Sequence, residues 1–223
     1  MSLMQITPPG TEVRQPPTAR MKVLAVGAQK GGVGKSTTAL YLATRAAESL
    51  GDGTGPVVGI LDRDESKNLS RLLKFSPDLL RPGVVLLGGE RVPPPDCGLK
   101  FVVVDTPPGV TAVEALRSAD LLVVPVLAET QGVMNLLEYL KNIEDQRIAV
   151  NPRMQLLALL PTMVDGRMTL HRRLLREIER IGSSRRPPLP VLPPIPRRSR
   201  IAEYHLDARD YDAAAKELFE HGF

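Results

Sequence analysis

The residues best suited to chemistry lie between positions 29 and 37, which read Gln29-Lys30-Gly31-Gly32-Val33-Gly34-Lys35-Ser36-Thr37. Glycines let backbone N–H groups turn inward without a clashing Cβ, and a helix that begins just after them adds the positive end of its dipole. Lys35 can reach the β- and γ-phosphates of a nucleotide as a point charge, and the Ser36 hydroxyl can ligate magnesium. A flexible turn would also need glycines, but the order strand, glycines, Gly-Lys-Ser and helix favours a nucleotide-binding site.

Aspartates follow two of the apolar runs in the sequence. Asp62 and Asp64 come after residues 57–61, and Asp105 comes after residues 101–104. A carboxylate that ends a strand beside a phosphate site can hold a magnesium-bound water, which is the role predicted for Asp105. Taken alone, an Asp-x-Asp after a strand is usually turn chemistry, so the residues themselves leave the role of Asp64 open.

Strands and helices alternate along the chain. Apolar runs at 22–26, 57–61, 84–87, 101–104, 121–127 and 156–160 predict strands, and helical spacing predicts helices at 35–50, 68–75, 111–119, 132–143, 170–181 and 211–220. This alternation predicts a single α/β domain over residues 21–223, with a mostly parallel twisted sheet that helices cover on both faces. Residues 1–20 are rich in Pro, Thr and Gln without periodicity, and we expect a flexible N-terminal arm there.

The composition limits the class of protein. With 43% hydrophobic and 24% charged residues, the chain has the balance of a soluble globular protein. Its apolar runs are far shorter than the roughly 18 residues that span a bilayer, and prolines interrupt the N-terminal region where a signal peptide would be apolar. We therefore expect a cytoplasmic protein. The single cysteine, Cys97, excludes an intrachain disulfide and is interpreted as a loop thiol.

Positive charge is concentrated in one region. Residues 167–200 contain ten arginines and two glutamates, a net charge of +8, whereas residues 201–223 carry −4. A polyanion is the natural partner of such a region, and the candidate DNA-phosphate contacts are Arg172, Arg173, Arg197, Arg198 and Arg200. For residues 172–180, a solvated helix face explains the arginines equally well. The acidic last helix would be repelled by anionic lipid, which argues against a membrane partner.

Several of these segments resemble one known family. Residues 30–37 are similar to the deviant Walker A P-loop of the ParA/MinD family, in which Gln29 replaces the first glycine of the strict motif. The further segments that follow this family in order are Asp62-Arg63-Asp64 with Asn68 and Ser70, Val102 to Gly109, Ala119-Asp120-Leu121 through Pro125 and Thr130, and Pro161-Thr162-Met163. The resemblance covers nearly everything after Met21 and is closest to compact ParA/Soj-type partition ATPases without an N-terminal DNA-binding domain.

The resemblance implies a single-domain P-loop NTPase that uses ATP and Mg²⁺, forms a homodimer with ATP, and hydrolyses ATP slowly with stimulation by a partner. It implies that Lys30 reaches the nucleotide of the partner subunit, that Lys35 holds its own nucleotide, and that Asp64 orients or activates the attacking water with Asp62 as support. The implied magnesium ligands are Ser36, Asp105 and Asp64, partly through water.

The predicted nucleotide-binding residues are Lys30, Gly31, Gly32, Val33, Gly34, Lys35, Ser36, Thr37, Thr162, Met163 and Pro196. Two departures from the family pattern concern this set and the loop after Asp64, which we call the switch loop. Glu65-Ser66 stands where Pro-Gln is usual, and Thr162 stands where an asparagine that contacts adenine is common. They affect the shape of the switch loop and the base contacts, but not phosphate binding.

For function, the resemblance implies plasmid or chromosome partition, with non-specific DNA binding by the ATP dimer, a nucleoid-associated location and a ParB-like centromere-binding partner. The 20-residue arm is too short for a helix-turn-helix domain. Two alternatives stay open: a ParA-like ATPase that positions a protein assembly, and an ATP-dependent small-molecule enzyme of the dethiobiotin synthetase kind, for which no residues define a substrate pocket. An iron–sulfur scaffold ATPase needs a cysteine pair, which Cys97 could supply only across a dimer.

Overall fold

The computed structural model describes residues 20–109 and 113–222, and its centre is one parallel sheet. The strands are β1 (Lys22–Val26), β2 (Val58–Asp62), β3 (Val84–Leu86), β4 (Phe101–Asp105), β5 (Leu121–Leu127) and β6 (Gln155–Thr162). Their order across the sheet is β3-β2-β4-β1-β5-β6, and every neighbouring pair is parallel. All residues of β2 and β4 are buried, as expected of strands covered on both faces.

The helices form the outer layers. They are α1 (Lys35–Leu50), α2 (Asn68–Phe75), α3 (Val113–Leu116), α4 (Thr130–Val150), α5 (Thr169–Ser184), α6 (Ser199–Ala202) and α7 (Asp212–Gly222). Alternate residues of β1 enter two separate cores: Leu24 and Val26 pack in the cluster that contains α1 and α7, whereas Ala25 packs in the cluster of α4 and α5. The predicted α/β fold with helices on both faces is therefore confirmed.

The predicted elements differ from the observed ones mainly at their ends. Helix α4 runs from Thr130 to Val150 rather than from 132 to 143, because no proline interrupts the partly exposed stretch after Ile143. The last helix begins at Asp212, after a 3₁₀ turn at Arg209–Tyr211. The helix predicted at 111–119 is represented by α3, and the predicted flexible arm lies outside the described residues apart from Arg20. None of the helices within 20–109 and 113–222 combines the length and apolarity needed to cross a membrane.

The strand register brings three functional segments to the same edge of the sheet. Asp105, the last residue of β4, lies beside Val26 of β1 on one side and beside Asp62 of β2 on the other. The glycine-rich loop leaves β1 directly after this point. The candidate phosphate site and the candidate aspartates are therefore neighbours because β1, β4 and β2 are adjacent in the sheet.

The C-terminal region is fastened to α1, the helix that follows the glycine-rich loop. The ring of Tyr41 stacks on Tyr211 with a centroid distance of 4.5 Å, and the hydroxyl groups of Thr38 and Tyr211 share a hydrogen bond of 3.1 Å. The buried Arg45 donates to the backbone oxygens of Leu206 and Ala208, each at 2.9 Å. Its Nε also lies 2.8 Å from Asp212 Oδ1, an electrostatic contact without hydrogen-bond geometry. Packing and polar contacts together hold α1 against the chain after residue 205.

We predict that Tyr211→Ala lowers the free energy of unfolding by about 3–5 kcal/mol, because it removes a fully buried ring from the contact with α1. Tyr211→Phe keeps the ring and loses only the bond to Thr38, so it should cost about 1 kcal/mol. Urea unfolding followed by circular dichroism measures both values. Phe75→Ala is the control, since that ring is 89% exposed. Equal losses for Tyr211→Ala and Phe75→Ala would contradict the structural role of this contact.

Candidate nucleotide-binding site

The loop between β1 and α1 has the backbone of a phosphate cradle. Gly32 and Gly34 have φ angles of +77° and +88°, in the left-handed region that side chains disfavour. A Cβ at either position would meet no atom within 4 Å, so the backbone conformation rather than crowding requires glycine. Gly34 is the N-cap of α1 and contributes no side-chain cap. The N-terminus of α1 is therefore open toward the loop and suited to an anion.

The two lysines of the loop have different environments. Lys35, the first residue of α1, is 6% exposed and lies near enough to Asp64 to lower the pKa of that carboxyl. Lys30 is exposed and lines a cavity between the loop and α4. Lys35 is thus held at the base of its own cradle, whereas the Lys30 ammonium group is accessible from outside the subunit.

Asp105 is buried at the bottom of the site; neither carboxylate oxygen has a hydrogen bond of standard geometry from the described residues, although the Ser36 hydroxyl is close enough to act on the carboxyl. Burial raises the pKa of Asp105 to about 7; the nearby Ser36 hydroxyl and Lys35 oppose the rise, while Asp62 adds to it. A buried carboxylate without a partner is costly, and a cation bound beside it would offset that cost. The hydroxyl of Ser36 and this carboxylate are hard oxygen donors of the kind that Mg²⁺ prefers.

The magnesium prediction therefore fits the residues present. In the described part of the chain, no group of three His, Cys, Asp or Glu side chains is arranged to hold a metal ion. Mg²⁺ usually binds through one or two protein ligands and completes its shell with substrate phosphates and water. Ser36 and Asp105 match this mode, in which the ion depends on the nucleotide.

Asp62 supports the loop between β2 and α2 rather than facing a ligand. Its side chain is buried, Oδ1 accepts the N–H of Asp64 at 3.1 Å, and Oδ2 accepts the N–H of Ser70 at 2.8 Å. Both oxygens are occupied by backbone donors. The geometry gives Asp62 the supporting position that the sequence interpretation assigned to it.

Asp64 stands at the start of that loop as an ionised group. Burial acts to raise its pKa, but hydrogen bonds from the Ser66 side chain and backbone, together with Lys35 and Lys67, outweigh burial, so the pKa lies below its usual value. Asp64 Oδ1 accepts the Ser66 N–H at 2.9 Å and the Ser66 hydroxyl at 2.7 Å. Ser66 therefore positions the carboxylate, a role that the sequence interpretation missed. The pattern Asp-x-Ser, in which a carboxylate accepts a bond from two residues on, is the signal that could have shown it.

The segment after β4 is tied to the beginning of the glycine-rich loop. Thr106 Oγ1 donates to Val26 O at 2.9 Å, and Gly109 N donates to Ala28 O at 2.9 Å. Gly109 has a φ of +70°, and a Cβ there would lie 3.4 Å from Gln29 O. The Thr-Pro-Pro-Gly segment thus runs closely along the P-loop, with its glycine at the point of approach.

The three residues predicted to lie near the adenine base are at the C-terminal end of β6 or beside it. Thr162 is 1% exposed, and its hydroxyl donates to Val33 O at 3.0 Å, so it anchors the P-loop from below. Met163 has a φ of +55°, and Pro196 forms a parallel bridge with Val164. The adenine contacts of Thr162, Met163 and Pro196 stay predictions, and the Thr162 hydroxyl already has a protein partner.

The structure separates the five candidate DNA-binding arginines into groups. Arg197 and Arg198 line a cavity of about 430 Å³ beside the β6–α5 loop, where Arg172 donates to Gly166 O at 3.0 Å. Arg173 faces a different groove, between α4 and α5. Arg200 lies on α6, and Arg198 is the residue that precedes this helix.

Asp210 holds two of these arginines. It accepts a bidentate pair of bonds from Arg200 at 2.7 and 2.8 Å and lies 3.3 Å from Arg198 Nε. The Asp210 side chain is 5% exposed, whereas those of Arg198 and Arg200 are about half exposed. The two guanidinium groups are therefore fixed at the surface by a carboxylate that the sequence interpretation did not single out.

Comparison with known proteins identifies the domain. Residues 24–209 match the model of the CobQ/CobB/MinD/ParA nucleotide binding domain. The chromosome-partitioning ATPase Soj of Thermus thermophilus is 32% identical over 187 residues, which cover 68% of this chain and 73% of Soj. The chromosome partitioning protein ParA of Caulobacter vibrioides is 27% identical over 206 residues, covering 71% of this chain and 75% of ParA.

Solved structures agree on the fold. Apo McdA of Cyanothece aligns with a TM-score of 0.72 at 18% identity, covering 90% of this chain and 99% of McdA. Cobyrinic acid a,c-diamide synthase of Mycobacterium smegmatis, solved with ADP and magnesium, aligns with a TM-score of 0.68 at 25% identity, covering 89% and 93%. The phosphate loop, the buried aspartates behind it and these similarities agree, and the chain belongs to the CobQ/CobB/MinD/ParA family of nucleotide-binding domains.

Proposed function

We propose that this protein is a partition ATPase that binds Mg-ATP, closes into a dimer over two nucleotides, binds DNA without sequence preference in that state, and reopens when ATP is hydrolysed to ADP and phosphate. The observation that carries the proposal is the buried, unpaired Asp105 carboxylate beside Ser36 and Lys35, directly below an open glycine-rich cradle. This arrangement supports a triphosphate with a divalent cation. The partition role is supported by relatives named as chromosome-partitioning proteins.

Each residue at the cradle has a distinct part in the proposed reaction. Lys35 neutralises the β- and γ-phosphates of its own nucleotide, and Ser36 and Asp105 hold the cation. Magnesium, when bound, neutralises negative charge that develops on the phosphates. Asp64, kept ionised by Ser66 and two lysines, can accept a hydrogen bond from the attacking water. The orientation of that water is the step in which the chain itself acts on the nucleophile.

Lys30 is assigned to the nucleotide of the partner subunit. The side chain is exposed at the rim of the loop, whereas Lys35 already occupies the base. A cation donated across an interface acts like an arginine finger, and it also makes closure depend on the γ-phosphate. Loss of that phosphate removes the attraction and releases the dimer.

The proposed DNA surface consists of Arg172, Arg197 and Arg198 beside the β6–α5 loop, and of Arg200, which shares Asp210 with Arg198. No ion pair within the described residues neutralises Arg172 or Arg197, while Asp210 partly neutralises the other two. Side chains that hold a carboxylate bidentately can hold a phosphate in the same way. Contacts of this kind bind the backbone of a duplex and carry no sequence information.

We expect Lys30→Ala to retain part of the ATP affinity but to lose ATP-dependent dimerisation, because the charge that bridges the subunits is gone. Sedimentation velocity with ATP, with ADP and without nucleotide measures this. Lys74→Ala is the matched control, since Lys74 is an exposed lysine on α2. A Lys30→Ala protein that sediments as a dimer with ATP would refute the assignment.

For Asp64→Ala we predict a dimer that stays closed with ATP and a hydrolysis rate lowered by about 10²–10⁴-fold, the range for loss of a general base. Ser66→Ala removes the 2.7 Å hydroxyl bond but keeps the backbone bond to Asp64. Its hydrolysis rate should therefore lie between that of the unchanged protein and that of Asp64→Ala. Single-turnover phosphate release measures all three rates. Undiminished release by Asp64→Ala would count against its role.

DNA retention should require ATP and should weaken steeply as salt is added. We expect Arg197→Ala to lower affinity for unrelated duplexes equally, and to reduce the dependence of log affinity on log salt by about one unit. Asp210→Asn should increase DNA affinity, because it frees Arg198 and Arg200 from a competing carboxylate. Fluorescence anisotropy measures these effects, with Arg71→Ala on α2 as control. Equal retention with ADP and ATP would argue against nucleotide coupling.

The same assays separate the proposed function from its alternatives. A protein that dimerises with ATP but retains no DNA at low salt would fit a ParA-like ATPase that positions a protein assembly. A protein that binds ATP without dimerising would favour an ATP-dependent small-molecule enzyme.

A further inference from the structure

A groove of about 870 Å³ runs between α4 and α5, on the side of α4 that faces away from the P-loop. Its floor includes the buried Val133 and Leu174, and three large apolar side chains at its rim reach solvent: Met134 is 67% exposed, Leu137 51% and Leu170 45%. Met134 and Leu137 lie on α4 and Leu170 on α5, so both walls contribute. Clustered apolar exposure of this kind marks an interaction surface more often than a solvated face.

The α5 wall of the groove is basic. Arg173 and Arg176 are exposed and form no ion pair within the described residues, although Arg173 acts electrostatically on Glu177. Arg180 is held by Glu177 through bonds of 2.5 and 2.9 Å. Two arginines that form no ion pair within the described residues therefore border the exposed Met134, Leu137 and Leu170.

We propose that the α4–α5 groove, defined by Met134, Leu137, Leu170, Leu174, Arg173 and Arg176, is the docking site for an acidic amphipathic helix of a partner protein. Apolar side chains at helical spacing would fill the groove, and acidic residues along one flank would pair with the two arginines. Charge complementarity selects this occupant. A second copy of the chain would place the same basic wall against itself in a two-fold contact.

The opposite face of α4 borders the P-loop. Gln131 and Asn135 project from the same helix into the cavity of about 170 Å³ that Lys30 also lines. One helix thus forms a wall of both features. Binding in the groove does not depend on the proposed partition function, because one subunit supplies every residue that lines the groove.

The test is selection from a displayed library of helical peptides with apolar residues at spacing i, i+3, i+4 and i+7 and Glu, Lys, Gln or Ala elsewhere. We expect the nucleotide-free protein to enrich acidic peptides. Their affinity should fall by about tenfold or more for Leu137→Glu and for the pair Arg173→Glu and Arg176→Glu. Ile148→Glu is the control, since Ile148 is 61% exposed on the same helix outside the groove. Peptides with Lys in place of Glu should regain binding to the double arginine variant.

Several results would overturn the proposal. Selection that yields no acidic peptides, or peptides that bind Leu137→Glu as well as the unchanged protein, would remove the site.

Sedimentation as a nucleotide-free dimer that Leu137→Glu dissociates would assign the groove to a second copy. Retention on phosphatidylglycerol vesicles that is lost in Leu137→Glu would assign it to a lipid surface. A drop in DNA affinity for the double arginine variant as large as that for Arg197→Ala would assign its wall to DNA. Peptide binding that persists while the ATP and DNA assays fail would refute only the partition function.

Discussion

The position of one carboxylate governs how the site can work. Asp105 ends a strand near the middle of a fully parallel sheet, buried between β1 and β2, and no backbone N–H of the described residues donates to its oxygens. An isolated charge in such surroundings is unstable, so either a proton or a cation must accompany it. The sheet therefore makes a positive charge favourable directly below the phosphate cradle. Ser36 and Lys35 lie next to Asp105 at this point.

The remaining parts of the site hold the backbone around this carboxylate. Thr162 supports the P-loop from β6, Thr106 and Gly109 tie the next loop to β1, and Asp62 fixes the turn that presents Asp64. Each bond joins a side chain or an amide to backbone rather than to another reactive side chain. Lys30 and Lys35 are thus left free of ion pairs in the described structure and available to phosphate.

The positions of the glycine-rich loop and of the aspartates at strand ends could be predicted from the sequence because their signals are local. Glycine spacing, a following helix and an apolar strand before each aspartate lie within a few residues of one another, and the strand pattern then fixes which ends meet. By contrast, the bond from Thr162 to Val33 joins positions 129 residues apart, and Asp210 reaches arginines on a different element. Partners of this kind follow from tertiary packing, which composition and periodicity do not encode. The end of α4 is a local miss, since the apolar spacing that marks its buried face stops at Ile143 and the turns after it are only partly buried.

Tyr211 links distant regions of the molecule through one rigid connection. Its hydroxyl is bonded to Thr38, within one turn of Lys35 and Ser36, and its ring stacks on Tyr41 one turn further along α1. The residue before it in the chain, Asp210, holds Arg198 and Arg200. Because the two rings are close-packed, a displacement of α1 by a fraction of an ångström also displaces the backbone at residue 210. The spacing of the two surface guanidinium groups is therefore mechanically tied to the pose of the helix that begins at the phosphates.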